Sequence, residues 1–133
     1  MGKEAQEGKN SETILLVDDD TRIRQLARRA LEQAGYTVLD AEDGEEALRL
    51  DQESAGSIRL LLTDLVMPGM NGRILAGHLQ VRYPEMRVLY MSGYKDYAIG
   101  VEAVLEPDAN YLNKPFTPDA LVRAVREVLR PKG

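Results

Sequence analysis

Four short stretches of this chain carry side chains able to do chemistry, and each follows directly on an apolar run: Asp18-Asp19-Asp20, Asp64, Ser92 and Lys114. Carboxylates gathered in one place repel one another unless a cation neutralises them. Mg2+ suits such a group because it takes hard oxygen ligands, keeps several waters and commonly binds through one or two carboxylates plus a substrate phosphate. Ligands for zinc are missing: the chain has no cysteine, and its single histidine, His78, lies mid-helix away from these stretches. An Asp carboxylate can also attack phosphorus and form an aspartyl phosphate, provided that the incoming negative charge is stabilised. Positioning and electrostatics then supply nearly all of the catalysis. The Lys114 ammonium would add a point charge, and the Ser92 hydroxyl could donate a hydrogen bond.

For these residues to meet, the elements that carry them must end at one edge. Short apolar runs alternate with helical patterns along the chain, the signature of βα units around a parallel sheet, and five units can be counted. Ile14-Leu15-Leu16-Val17 is a continuous apolar run of strand length, as in a strand buried on both faces. Ile23, Leu26, Ala27, Ala30 and Leu31 follow at helical spacing, and Gly35 stops that helix. Thr37–Leu39 reads as a second strand, Glu45–Leu50 as a second helix, and Ile58–Thr63 as a third strand running into Asp64. After Met67-Pro68-Gly69 a helix is predicted over Gly72–Tyr83, then a strand over Arg87–Met91, a helix around Tyr97–Leu105 and a strand over Tyr111–Asn113. Thr117 caps the last helix, with Pro118 at its first position and Leu121, Val122, Val125, Val128 and Leu129 as its stripe. In an open parallel sheet the ligand site lies beyond the carboxyl ends of the strands, where the strand order reverses. That rule alone brings Asp18–Asp20, Asp64, Ser92 and Lys114 together.

The bulk properties agree with an α/β domain of ordinary size. The 133 residues suffice for one core, and 44% hydrophobic with 29% charged residues is average for a globular protein. A net charge of -5 argues against nucleic acid as a direct partner, since that surface needs clustered Lys and Arg. No apolar run approaches a membrane span, and the lack of cysteine agrees with a reducing cytoplasm. Residues 1–11 are polar, with no apolar segment of a secretory signal, and read as a flexible tail. The domain is expected over 12–130, with 131–133 a short C-terminal tail.

Each residue also has a plainer reading. Asp20 suits the N-cap of the first helix, Asp64 before Leu-Val-Met-Pro could be a turn residue, Ser92 could open a turn and Lys114 could be a solvated charge. His78 reads as surface or core-edge packing.

Val17-Asp18-Asp19, the stretch Asp64 to Gly72, Met91-Ser92-Gly93 and Lys114-Pro115-Phe116 together resemble the receiver domains of response regulators, over about Glu12 to Leu129. The resemblance implies a flavodoxin-like (βα)5 fold, a doubly wound sheet of five parallel strands. It implies Mg2+ held by Asp18, Asp19, Asp64 and the Val66 main-chain carbonyl, and phosphorylation of Asp64 by a phosphohistidine, with self-catalysed gain and loss of the phosphoryl group. Ser92 and Lys114 match the pair that senses it, and Tyr111 matches the switch aromatic, although a half-buried core tyrosine is the plainer alternative. A histidine kinase or histidine phosphotransfer domain is the implied donor, and a downstream protein or parent kinase the implied target. The motifs look most like receivers at the ends of hybrid sensor kinases. Arg24 and Arg28, opposite the apolar stripe of the first helix, are expected to stand free for the donor together with Phe116 after the fifth strand. Two rivals remain: a haloacid dehalogenase-type phosphohydrolase with Asp18 as nucleophile, and a degenerate receiver used only for binding.

Overall fold

The computed structural model describes residues 12–53, 57–93 and 109–131. The strands are β1 (Thr13–Val17), β2 (Thr37–Ala41), β3 (Leu60–Asp64), β4 (Arg87–Ser92) and β5 (Asn110–Asn113). The described helices are α1 (Thr21–Gln33), α2 (Gly44–Glu53), α3 (Gly72–Arg82) and α4 (Pro118–Leu129). The helix expected around Tyr97–Leu105 lies outside the described residues.

All strand pairs are parallel, and the sheet order is β2-β1-β3-β4-β5. From β1 the chain steps outward to β2 and then crosses back to β3, so the order reverses between β1 and β3. Right-handed crossovers running in opposite directions put their helices on opposite faces. Accordingly Ile14, Leu16, Leu60 and Leu62 pack with Ala27, Leu31, Leu121 and Val125 of α1 and α4. Leu15, Val17 and Leu61 pack on the other face with Ala47, Leu75 and Leu79 of α2 and α3. A strand covered on both faces needs apolar residues at consecutive positions, which is why β1 and β3 read as unbroken runs.

The helix signals act as expected. The Asp20 carboxylate accepts from the Arg22 and Ile23 amides, the Thr117 hydroxyl accepts from the Ala120 amide, and Gly35 takes a φ of 103° just beyond α1. Several bounds differ from those that the sequence pattern predicts, with β2 reaching Ala41 and α2 reaching Glu53. The third strand begins at Leu60 rather than Ile58, and Leu26, counted in the apolar stripe of α1, is 40% exposed. Leu26 lies at the margin of that stripe, beside the loop between β5 and α4, where the sheet no longer covers the helix.

Candidate functional site

The carboxyl ends of β1 and β3 lie side by side at the point where the strand order reverses, and each leads into a fully buried aspartate. The Asp18 amide donates a hydrogen bond to the Ala41 carbonyl of β2 (3.2 Å), and the Asp18 Oδ1 accepts from the Asp20 amide (2.8 Å). Asp64 is fixed through the turn that follows it. The Leu65 amide donates to the Met91 carbonyl, the Gly72 amide donates back to the Leu65 carbonyl, and Asn71 caps α3 through the Ile74 amide. A β-carbon at residue 72 would stand 2.5 Å from the Asp64 carbonyl oxygen, so only glycine lets α3 start this close to the strand end.

Lys114 enters from the end of β5. Its amide donates to the Ser92 carbonyl (2.8 Å), and its side chain runs past Gly93, where a β-carbon would meet Lys114 Cδ at 3.5 Å. The peptide bond between Lys114 and Pro115 is cis. Lys114 Nζ reaches Asp18 Oδ2 at 2.9 Å and Asp64 Oδ1 at 3.4 Å. With exposed Asp19, these two aspartates offer carboxylate oxygens that all lie within 4.8 Å of one another. That donor set is oxygen only and of hard character, the chemistry that Mg2+ selects.

Ser92 is buried at the end of β4, and its hydroxyl donates to Asn113 Oδ1 at 3.4 Å. Tyr111 is half-buried and stacks on Tyr90 of the adjacent strand with ring centroids 5.6 Å apart. Val66 lies two residues past Asp64, its side chain packed on the α2 and α3 side of the core. His78 is exposed on α3, remote from the strand ends. Asp18, Asp19, Asp64, Ser92 and Lys114 are thus brought to one edge.

Arg24 does not stand free as the sequence pattern implied. Its side chain is only 14% exposed, with Nε on Asp40 Oδ2 at 3.1 Å and Nη1 on the Asp18 carbonyl at 2.6 Å. Arg28 is more open but also engaged, pairing with Glu32 at 3.0 Å and with the second oxygen of Asp40. Its hydrogen bond to Glu32, reinforced by Asp40, holds the Arg28 pKa above its usual value. Helical periodicity places both arginines opposite the apolar stripe, but it cannot show that the end of β2 comes to rest beside them. The strand extends past the expected Leu39 to Ala41, and this places the Asp40 carboxylate beside α1. What α1 does present near the loop after β5 is a cleft of about 190 Å³, lined by Arg22, Ile23, Leu26, Lys114, Pro115 and Phe116.

The family model for the response regulator receiver domain matches residues 14–126. The chain belongs to this family. Among curated relatives, the sensor kinase CckA of Brucella abortus is 35% identical over 119 residues, which cover 90% of this chain and 13% of CckA. The response regulator receiver protein CpdR of the same organism is 36% identical, over 87% of this chain and 95% of CpdR. Among solved structures, the chemotaxis response regulator CheY4 of Vibrio cholerae superposes with a TM-score of 0.72 at 31% identity, covering 90% of this chain and 99% of that one. The similar proteins thus include a receiver set within a much larger kinase and a receiver that is nearly the whole protein. The family match sets aside the haloacid dehalogenase reading, and this receiver has the doubly wound, flavodoxin-like sheet that the resemblance implied. No helix among the described residues is long and apolar enough to cross a membrane.

Proposed function

We propose that this receiver domain, spanning residues 12–130, takes a phosphoryl group from a phosphohistidine onto Asp64 with Mg2+ bound beside it. The observation that carries the reading is the convergence of buried Asp18 and buried Asp64 on one ammonium, Lys114, each delivered by a different strand end. A carboxylate oxygen of Asp64 attacks phosphorus, a P–O bond forms, the P–N bond to imidazole breaks, and the imidazole leaves with a proton. Asp18, Asp19, Asp64 and the Val66 carbonyl would hold the metal, which supplies charge neutralisation to the transferring group. Lys114, already against Asp64, stabilises the developing phosphoryl charge from within the chain. The Ser92 hydroxyl, now bonded to Asn113 at the long distance of 3.4 Å, is available to exchange that partner for the phosphoryl group. Tyr111 would follow it as the moving aromatic.

The phosphohistidine-bearing partner, a histidine kinase or phosphotransfer domain, docks on the cleft between α1 and the loop after β5. Leu26 and Phe116 supply its apolar contact and Arg22 its charge, a different set from the Arg24 and Arg28 of the sequence reading. Output is by contact with a downstream protein or a parent kinase, in the cytoplasm, and not by direct binding of nucleic acid.

Peptide mapping after incubation with acetyl phosphate and Mg2+ tests the chemistry. Label on Asp64 is expected, and label on Asp18 would return the phosphohydrolase reading. Leu26→Asp should slow transfer from a phosphohistidine donor while leaving acetyl phosphate labelling unchanged. Equal rates of donor transfer in wild type and variant would remove the cleft from the interface.

A further inference from the structure

We infer that Arg24 is a positioning residue for the metal-binding turn, acting through the Asp18 main chain with Asp40 as its anchor. The inference rests on the reading that Asp18 and Asp19 hold Mg2+. Asp18 begins the turn out of β1, and the direction of its peptide link to Asp19 decides where both carboxylates point. Beside the Lys114 ion pair to Asp18 Oδ2, three hydrogen bonds help to fix that turn. The Asp18 amide donates to the Ala41 carbonyl, the Asp20 amide donates to Asp18 Oδ1, and Arg24 Nη1 donates to the Asp18 carbonyl at 2.6 Å. The third is the only one of these made by a side chain from beyond the turn. Arg24 is itself aimed by Asp40, which precedes Ala41 in β2 and takes Arg24 Nε at 3.1 Å on one oxygen and Arg28 on the other. Main-chain and side-chain links therefore close a ring from Asp18 through Ala41, Asp40 and Arg24 back to Asp18.

A guanidinium can serve both bonds because its donors point in fixed, divergent directions, whereas an ammonium is a point donor on a flexible stem. Groups behind metal ligands set ligand orientation, and losing one typically weakens metal binding by 10–100-fold. Charge alone makes the opposite forecast. Arg24 is a cation beside a cation site, so its removal would tighten Mg2+ binding if electrostatics were its whole influence.

The sign of the change is therefore the test. MgCl2 is titrated into the full chain, well below its melting temperature, and followed by the amide NMR shifts of Asp19 to Thr21. Arg24→Ala should raise the Kd for Mg2+ by about tenfold. Arg24→Lys, which keeps the charge, should also raise it, by less. Asp40→Asn, leaving Arg24 in place but unaimed, should move Kd the same way. Unchanged or tighter binding in either Arg24 variant overturns the inference. Failure of the wild type to respond to Mg2+ would instead overturn the metal reading on which it rests.

Discussion

Asp64 and Asp51 are both carboxylates with almost no exposure, 0% and 3%, but their surroundings have little in common. Asp51 sits on α2 and is matched by neighbours at the C-terminal end of α3: Tyr83, its cap residue, donates its hydroxyl to Oδ1 at 2.6 Å, and Arg82 pairs with Oδ2 at 3.4 Å. One acid meets one hydroxyl and one guanidinium, and the result clamps two helices. Asp64 instead shares its edge with two more carboxylates, and the Lys114 ammonium is divided between it and Asp18. Burial of an acid is therefore no sign of function by itself. Several acids brought together by separate strands, against their mutual repulsion, are what supports the proposed site for a cation and an incoming phosphoryl group.

The two regions should respond oppositely to perturbation. The largest effect is expected from metal removal: EDTA should cut acetyl phosphate labelling by about a hundredfold or more, since a bound cation contributes several kcal/mol to such a transition state. The α2–α3 clamp needs no metal, so helical circular dichroism should stay unchanged, and an unchanged labelling rate would contradict the role given to Asp18 and Asp19. Asp51→Ala reverses the pattern. It removes the contacts that Tyr83 and Arg82 make to Asp51 and should lower stability by about 2 kcal/mol in urea unfolding, with labelling unaltered. A loss of labelling at full stability would show that the two regions are coupled.

Ser92→Ala should still accept the phosphoryl group but lose a charge-assisted hydrogen bond contributing about 1.5–3 kcal/mol to the activated arrangement. Its amide shifts on adding beryllofluoride, a phosphoryl mimic, should be smaller than those of the wild type around Tyr111. Identical shifts would remove Ser92 from the switch.

The smallest effect concerns alkali. Burial, and then the hydrogen bond to Asp51, push the Tyr83 pKa above its ordinary value of 10.0. A phenol that holds its proton more tightly when folded contributes stability that is present below pH 10 and is lost as pH rises through the folded pKa. Tyr83→Phe should therefore be less stable than wild type at neutral pH and lose less of its stability above pH 10. Parallel stability curves for the two proteins would refute the link.

Much of this was legible in the sequence because the informative signals were local. A run such as Ile14–Val17, short and flanked by polar residues, reads as a strand covered twice, and where it stops at Asp18 the sheet edge is expected. The same reasoning located Asp64, Ser92 and Lys114, and the caps at Asp20 and Thr117 needed no tertiary knowledge. What escaped was pairing at long sequence separation. Asp40 lies 16 residues from Arg24, and Asp51 lies 32 from Tyr83. No helical or strand period connects such partners, so the pattern makes Arg24 a free surface charge although it is bound to the very turn that carries Asp18. Leu26 escaped for the converse reason. Its spacing is that of a core residue, and only the course of the loop after β5 leaves it open.

Asp64→Asn compared with Asp51→Asn tests most directly whether convergence at the strand ends, and not burial, makes Asp64 the phosphoacceptor. Both replace a buried carboxylate by its uncharged isostere, and both are incubated with acetyl phosphate and Mg2+ while their melting is followed. The expected result is no labelling and an undiminished melting temperature for Asp64→Asn, with full labelling and a lowered melting temperature for Asp51→Asn. Undiminished labelling of a folded Asp64→Asn protein would contradict the account.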